Sequence, residues 1–210
     1  NMNKIKLTFT VLFSLAIASV ASAAENRVGI SAQFHSFDTS GSEVLRQSGQ
    51  ISRTSHSNDV VVPSLFVEHM MDSGLGFGFD FVPVAELGSK SRADDDAETA
   101  GGNKAAAELA THVTAYVILE SANGFYGKLG MAYADVETTE VLGTGDTYGD
   151  TSTDGPMIGL GYSYDVGSYF VRGDVSQTWY DSVKLTSTGG STVEADLETT
   201  AFTFSVGRAF

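Results

Sequence analysis

The sequence predicts an all-β protein: an eight-stranded antiparallel up-and-down transmembrane β-barrel with short turns at one end and long loops at the other. Three observations lead there. Eight segments alternate bulky apolar residues with small or polar ones at a period of two, the mark of strands with two different faces. The links between them alternate strictly between tight turns and long polar stretches. The bulky face, finally, is too large to fill a lumen of eight strands, so it must point outward, where only lipid can cover it.

The first 23 residues read as an address. Lys4 and Lys6 precede an apolar stretch, Leu7 to Val20, and Ala21-Ser22-Ala23 supplies a small-x-small cleavage pattern. This is the layout of a secretory signal peptide over 1–23, with a mature chain from Ala24. The stretch is shorter than the roughly 20 apolar residues a spanning helix needs. Residues 24–210 then form the barrel domain.

The eight strands follow in order. In Asn26–Phe37, Val28, Ile30, Ala32 and Phe34 alternate with Arg27, Gly29, Ser31, Gln33 and His35. Val60–Met71 is apolar on both faces at its start, but Glu68 marks the polar face and leaves Leu65 and Val67 opposite. Leu75–Val84 sets Leu75, Phe77, Phe79 and Phe81 against Gly76, Gly78 and Asp80. Glu108–Glu120 sets Val113, Ala115, Val117 and Leu119 against His112, Thr114, Tyr116 and Ile118. Phe125–Asp135, Pro156–Asp165, Tyr169–Trp179 and Thr199–Phe210 repeat the pattern. Their bulky sets are carried by Leu129, Met131 and Tyr133, by Ile158, Leu160, Tyr162 and Tyr164, by Val171 and Val175, and by Phe202, Phe204 and Val206. Short links fall at Asp72–Gly74, Ser121–Gly124 and Val166–Ser168, each with the glycine that hairpin turns favour. The other links, 38–59, 85–107, 138–153 and 180–198, read as long loops. Both ends of the mature chain then lie on the short-turn side.

A soluble barrel and a membrane barrel share this pattern and differ only in which face is inside. One set of residues is Phe, Leu, Val, Ile and Tyr with almost no charge. The other is Gly, Ala and Ser with Glu68, Asp80, Lys128, Arg172 and Asp174. The second set fits a narrow lumen, filled by small residues and a few ion pairs. The alternating segments match the roughly 9–11 tilted residues that cross a bilayer. Outward Phe125, Tyr164, Tyr169 and Phe210 near the short turns, with Phe34, Tyr133 and Trp179 towards the loops, supply two aromatic girdles. Pro63, Pro83 and Pro156 are expected at the loop ends of their strands, where a missing ladder donor costs least.

Phe125-Tyr126-Gly127-Lys128-Leu129-Gly130-Met131-Ala132-Tyr133, Gly159-Leu160-Gly161-Tyr162-Ser163-Tyr164, Val171-Arg172-Gly173-Asp174 and the terminal Phe204-Ser205-Val206-Gly207-Arg208-Ala209-Phe210 resemble the outer-membrane β-barrel superfamily. That superfamily includes the OmpA transmembrane domain, OmpX-type barrels and opacity-type surface proteins. The resemblance spans the mature chain and implies short periplasmic turns and long extracellular loops in a bacterial outer membrane. It also implies an assembly signal in Phe204, Val206 and Phe210, read by barrel-assembly machinery through the C-terminal strand. The end departs from the family pattern: Arg208 and Ala209 stand where an aromatic and a basic residue are usual. Arg208 has outward parity and must snorkel to the interface.

Composition limits the chemistry. The 210 residues contain no Cys, which removes disulfides, thiolate metal sites and Cys nucleophiles. Twelve Lys and Arg against 26 Asp and Glu is the wrong balance for nucleic acid. Inward Glu68, Asp80, Glu120, Lys128, Arg172 and Asp174 read as a structural luminal network, with an ion or proton path as the competing use. Asp94-Asp95-Asp96 with Glu98 lacks the ligand spacing of a calcium loop and reads as a solvated acidic loop. His56-Ser57-Asn58 and His35-Ser36 have the residue types of lipid A-modifying barrels, but neighbouring side chains of an extended segment diverge. No catalytic, metal or cofactor site is therefore expected. The expected role is a non-enzymatic envelope component or a surface-loop binding module, adhesion-type, most simply a monomer. Its partners would be outer-membrane lipid, lipopolysaccharide, the assembly machinery and an unidentified extracellular ligand. A narrow pore for ions or small solutes, and less so a lipid A enzyme, are the alternatives.

Overall fold

Alternation along the strands turns the usual rule of burial inside out. Leu160 and Leu129 are 70% and 66% exposed, whereas Arg172 and Glu68 are 2% and 4% exposed. A sheet can satisfy both only by closing on a polar interior. The computed structural model describes residues 25–44, 51–83, 85–94, 101–138, 147–190 and 192–210; the leader read over 1–23 lies outside them. Among the described residues there are ten β segments. They are β1 Glu25–Val44, β2 Ile51–Met70, β3 Leu75–Val82, β4 Ala85–Asp94, β5 Gly101–Glu120, β6 Phe125–Thr138, β7 Thr151–Val166, β8 Tyr169–Trp179, β9 Val183–Thr186 and β10 Thr192–Ala209.

Every pairing is antiparallel, running β1-β2-β3-β5-β6-β7-β8-β10, and β10 returns to pair with β1. β3 and β4 are two parts of one stave, both paired with β5, and β9 is added beside the outer part of β10. The result is a closed barrel of eight staves. Closure removes the free edges that an open sheet of this length would present.

Turn chemistry fixes the short ends. At Met71–Leu75 the N–H of Met71 donates to Leu75 O (2.8 Å) and that of Gly74 to Met71 O (2.9 Å); Ser121–Phe125 repeats both bonds at 2.8 and 2.9 Å. Gly74 and Gly124 hold φ of 79° and 89°, a left-handed position that a side chain disfavours. Gly167, at φ 66°, opens the two-residue turn into β8, as glycine does in type II′ hairpins.

The outward apolar belt ends at one level: Phe34 faces Val61 on one side and Phe202 on the other. Beyond it the outward residues become Ser36, Asp38, Asp59, Thr200 and Glu198. The strands do not stop there. β1, β2 and β5 are each 20 residues long, roughly twice what crosses a bilayer. At about 3.3 Å per residue and a tilt near 45°, each projects some 20 Å past the belt. Much of the segments 38–59, 85–107 and 180–198, expected as loops, is therefore paired β-ribbon. The reason is solvent. Past the belt both faces meet water, so ladder hydrogen bonds continue while the hydrophobic alternation that announces a strand disappears. His56, expected in a loop, lies on β2, and its side chain is outside the described residues. So are the side chain of Asp94 and the whole of Asp95, Asp96 and Glu98.

Two further expectations need correction. Of the prolines only Pro83 interrupts a stave; the ladder runs past Pro63 to Ile51 and past Pro156 to Thr151. One missing donor is outweighed by the register pairs on either side. Nor is the lumen lined by small and charged residues alone. Phe66, Tyr116, Ile118, Tyr126 and Phe170 are buried within it. They fit because glycines face them: a Cβ on Gly29 would overlap the Phe66 ring, and one on Gly207 the Phe170 ring.

Candidate functional site: the luminal polar network

The interior is organised around Arg172 of β8. Its Nη1 donates to both carboxylate oxygens of Glu68 on β2, each at 2.7 Å, and its Nε reaches Ser163 Oγ at 3.4 Å. Its Nη2 makes no hydrogen bond and faces Glu120 Oε2 at 3.6 Å. The guanidinium lies over the Phe170 ring, 4.5 Å from the centroid, and within 5.2 and 5.8 Å of Tyr126 and Phe66. A buried cation is thus compensated twice, by a carboxylate and by ring faces.

Around this centre the network extends to both sides. Tyr116 OH donates to Glu68 Oε1 at 2.8 Å. On the short-turn side, Arg27 Nη1 donates to Glu120 Oε2 at 2.6 Å, and its Nε bonds Glu25. On the other, Asp174 Oδ2 accepts from Tyr126 OH at 2.8 Å and from Lys128 Nζ at 3.2 Å. Lys128 Nζ also sits 5.0 Å from the Tyr116 ring centroid.

Asp80 stands apart, held by neutral donors: Gln33 Nε2 at 2.8 Å and Ser64 Oγ at 2.9 Å. Gln33 passes the chain outward, its Oε1 2.7 Å from His35 Nε2, while His35 Nδ1 meets Thr199 Oγ1 at 3.2 Å. His112 packs edge-on to His35, with centroids 6.5 Å apart. Its Nε2 shares a 2.8 Å hydrogen bond with Tyr180 OH, and its Nδ1 is buried without a hydrogen bond. Tyr180 follows the end of β8, beyond the belt, and burial pushes its phenol pKa up, so it remains protonated. Val62, Val82 and Ala134, with Val60, pack beside it.

Between the inner ion pairs and this outer group is a cavity of about 50 Å³, touched by Gln33, Asp80, His112, Lys128 and Arg172. By the usual volume of a water molecule it has room for a few waters. Among the described residues no group of three His, Asp or Glu is placed to hold a metal ion.

The six acids and bases singled out from sequence are thereby located. Arg172 joins Glu68 and approaches Glu120, Lys128 joins Asp174, and Asp80 is separated from both pairs by neutral partners. Sequence reasoning put Arg27, Gln33, Tyr116 and Tyr126 on the inward face without joining them to the network, and missed Ser64, Phe66 and Phe170. Arg27 and Gln33 were legible in principle, since they share the inward parity of Gly29 and Ser31. His35 turns into the lumen and Ser36 to the other face, so the pair does not meet. At the C-terminus, Phe204 and Val206 face outward. The Phe210 N–H donates to Asn26 O at 2.9 Å, and Phe210 O accepts from Asn26 N at 3.1 Å. Arg208 also faces outward, its guanidinium carbon 5.8 Å from the Tyr169 ring centroid and 5.4 Å from that of Phe210.

No family model and no curated protein matches the chain. Solved structures do. The outer membrane protein OprG from Pseudomonas aeruginosa superposes with a TM-score of 0.59 at 11% identity, over 90% of this chain and 96% of that one. Neisserial surface protein A superposes with a TM-score of 0.51 at 13% identity, over 90% of this chain and all of that one. At such identities the similarity establishes the fold alone: an outer-membrane β-barrel.

Proposed function

We propose that the chain is a non-enzymatic integral protein of the bacterial outer membrane, whose lumen is a structural plug and whose projecting ribbons are its working surface. One contrast carries this reading. The interior is occupied by paired charges and rings around a cavity of about 50 Å³, while β1, β2 and β5 reach far past the belt. Material that a pore would spend on an open path is spent on filling it. Material that a minimal anchor would omit is extended into the medium, where binding residues commonly reside.

On this reading lipid and lipopolysaccharide surround the belt, and the assembly machinery engages the C-terminal strand through Phe204, Val206 and Phe210. An extracellular ligand, or a neighbouring cell surface, meets the ribbons. The test replaces the outer β1–β2 ribbon, residues 38–57, by a short turn and measures binding of intact cells to lipopolysaccharide vesicles and to cultured host cells. A barrel that still shows heat-modifiable gel migration but has lost binding supports the reading. Binding that survives removal of each ribbon in turn overturns it.

A further inference from the structure

The outer surface of the belt is not uniformly rough. Leu119, Gly127, Leu160, Val175 and Phe202 are successive register partners across β5, β6, β7, β8 and β10. Because barrel strands tilt, such a row climbs obliquely from the turn end towards the outer end. The adjacent row is Phe125, Tyr162, Gly173 and Phe204. Each row carries a glycine where every other member is large, and the two gaps merge. The result is an open groove of about 920 Å³ floored by Gly127 and Gly173, walled by Leu160, Tyr162 and Phe202 among others, and bordered at its lower end by the turn residues Ser73 and Ser121.

We infer that this groove is a binding site for one phospholipid, whose acyl chain lies along the glycine floor. Two observations select this occupant. The groove is continuous with the apolar belt, so the medium that touches it is hydrocarbon. It is also polarised as a phospholipid is, with the turn serines Ser73 and Ser121 at the short-turn end and a mainly apolar lining above, where Asp174 is the one charged residue. The two glycines are not demanded by packing. A Cβ on Gly173 meets nothing within 4 Å, and the nearest atom to one on Gly127 is Leu160 Cδ2 at 3.7 Å. Each leaves open a space that the fold does not itself fill. A lipid in the slot is enclosed on two sides, unlike its neighbours around the belt, and exchanges more slowly than they do.

The experiment reconstitutes the full chain in phosphatidylethanolamine nanodiscs, releases it into mild detergent and counts retained lipids by native mass spectrometry. Wild type is expected to keep one phosphatidylethanolamine. Gly173→Leu and Gly127→Leu fill the slot while keeping the belt apolar. Retention should fall roughly tenfold in each, what the loss of about two methylene contacts amounts to. Ala115→Leu, outward on β5 but away from the groove, should leave it unchanged. In parallel, phosphatidylethanolamine with a diazirine in its acyl chain is photolysed on the wild-type protein. Label concentrated on the peptides containing Gly127 and Gly173 supports the site whether or not the variants fold. Equal retention in all variants, label spread evenly over the belt, or a wild-type dimer that Gly173→Leu abolishes would each overturn it, the last in favour of a second copy as the occupant.

Discussion

Removing the guanidinium of Arg172 is the sharpest test of how the interior is held. In Arg172→Ala, Glu68 keeps one strong partner, Tyr116 OH at 2.8 Å, and loses both charge-assisted bonds of 2.7 Å. Breaking a buried pair by deleting one member costs about 3–5 kcal/mol, because the other charge stays behind. The contact of the guanidinium with the Phe170 ring contributes about 1 kcal/mol more. Against this, Arg172 and Glu68 both border the small cavity, so the vacated space admits water to Glu68. The lower end is therefore expected, a loss of about 3 kcal/mol. The assay is reversible urea unfolding in lipid vesicles, followed through Trp179, the single tryptophan. Glu68→Gln combined with Arg172→Met should restore most of the loss, since replacing both partners leaves no stranded charge. An Arg172→Ala protein within about 0.5 kcal/mol of wild type, or a double variant no better than the single one, refutes the reasoning.

Other expectations follow from the same geometry. Gly29→Ala should cost about 1–3 kcal/mol in that titration, because its methyl displaces the Phe66 ring. Gly74→Ala should cost about 1–2 kcal/mol from its left-handed φ alone, with further loss because its Cβ would strike the Glu120 carbonyl. Phe210→Ser should lower the yield of folded barrel in proteoliposomes containing assembly machinery, while spontaneous refolding into short-chain vesicles stays near wild type. In planar bilayers the wild-type protein should show no stable unit conductance; a reproducible single-channel step would remove the plug from the functional reading.

What was legible in the sequence was what the bilayer imposes. Val28, Ile30 and Phe34 announce a strand because lipid and lumen demand opposite residues at alternate positions. The segment from Asp38 to Val44 does not, because water on both faces accepts any polar side chain while the backbone goes on pairing. Charge and parity also located Arg172 and Glu68 in the lumen, but pairing depends on which staves adjoin and on their stagger, and no local pattern encodes that. The size argument succeeded for the belt and failed for individual rings. Phe66 and Phe170 are large and yet inward, and only the opposing Gly29 and Gly207, remote in sequence, make room for them.

The seam between β1 and β10 has a consequence for how the chain reaches its final form. Its register pairs, from Arg27 with Ala209 to Val44 with Thr192, join the first described strand to the last. Every other stave boundary joins neighbours in chain order. Seven boundaries can therefore zip as hairpins as soon as both strands exist, whereas the eighth must wait until the whole sheet has curled. Contacts of such long sequence separation are slow to form. For that interval two complete strand edges stand open to any other chain. The time-critical event in the folding of this sheet is the meeting of its first and last described strands, whose edges stay exposed until that moment.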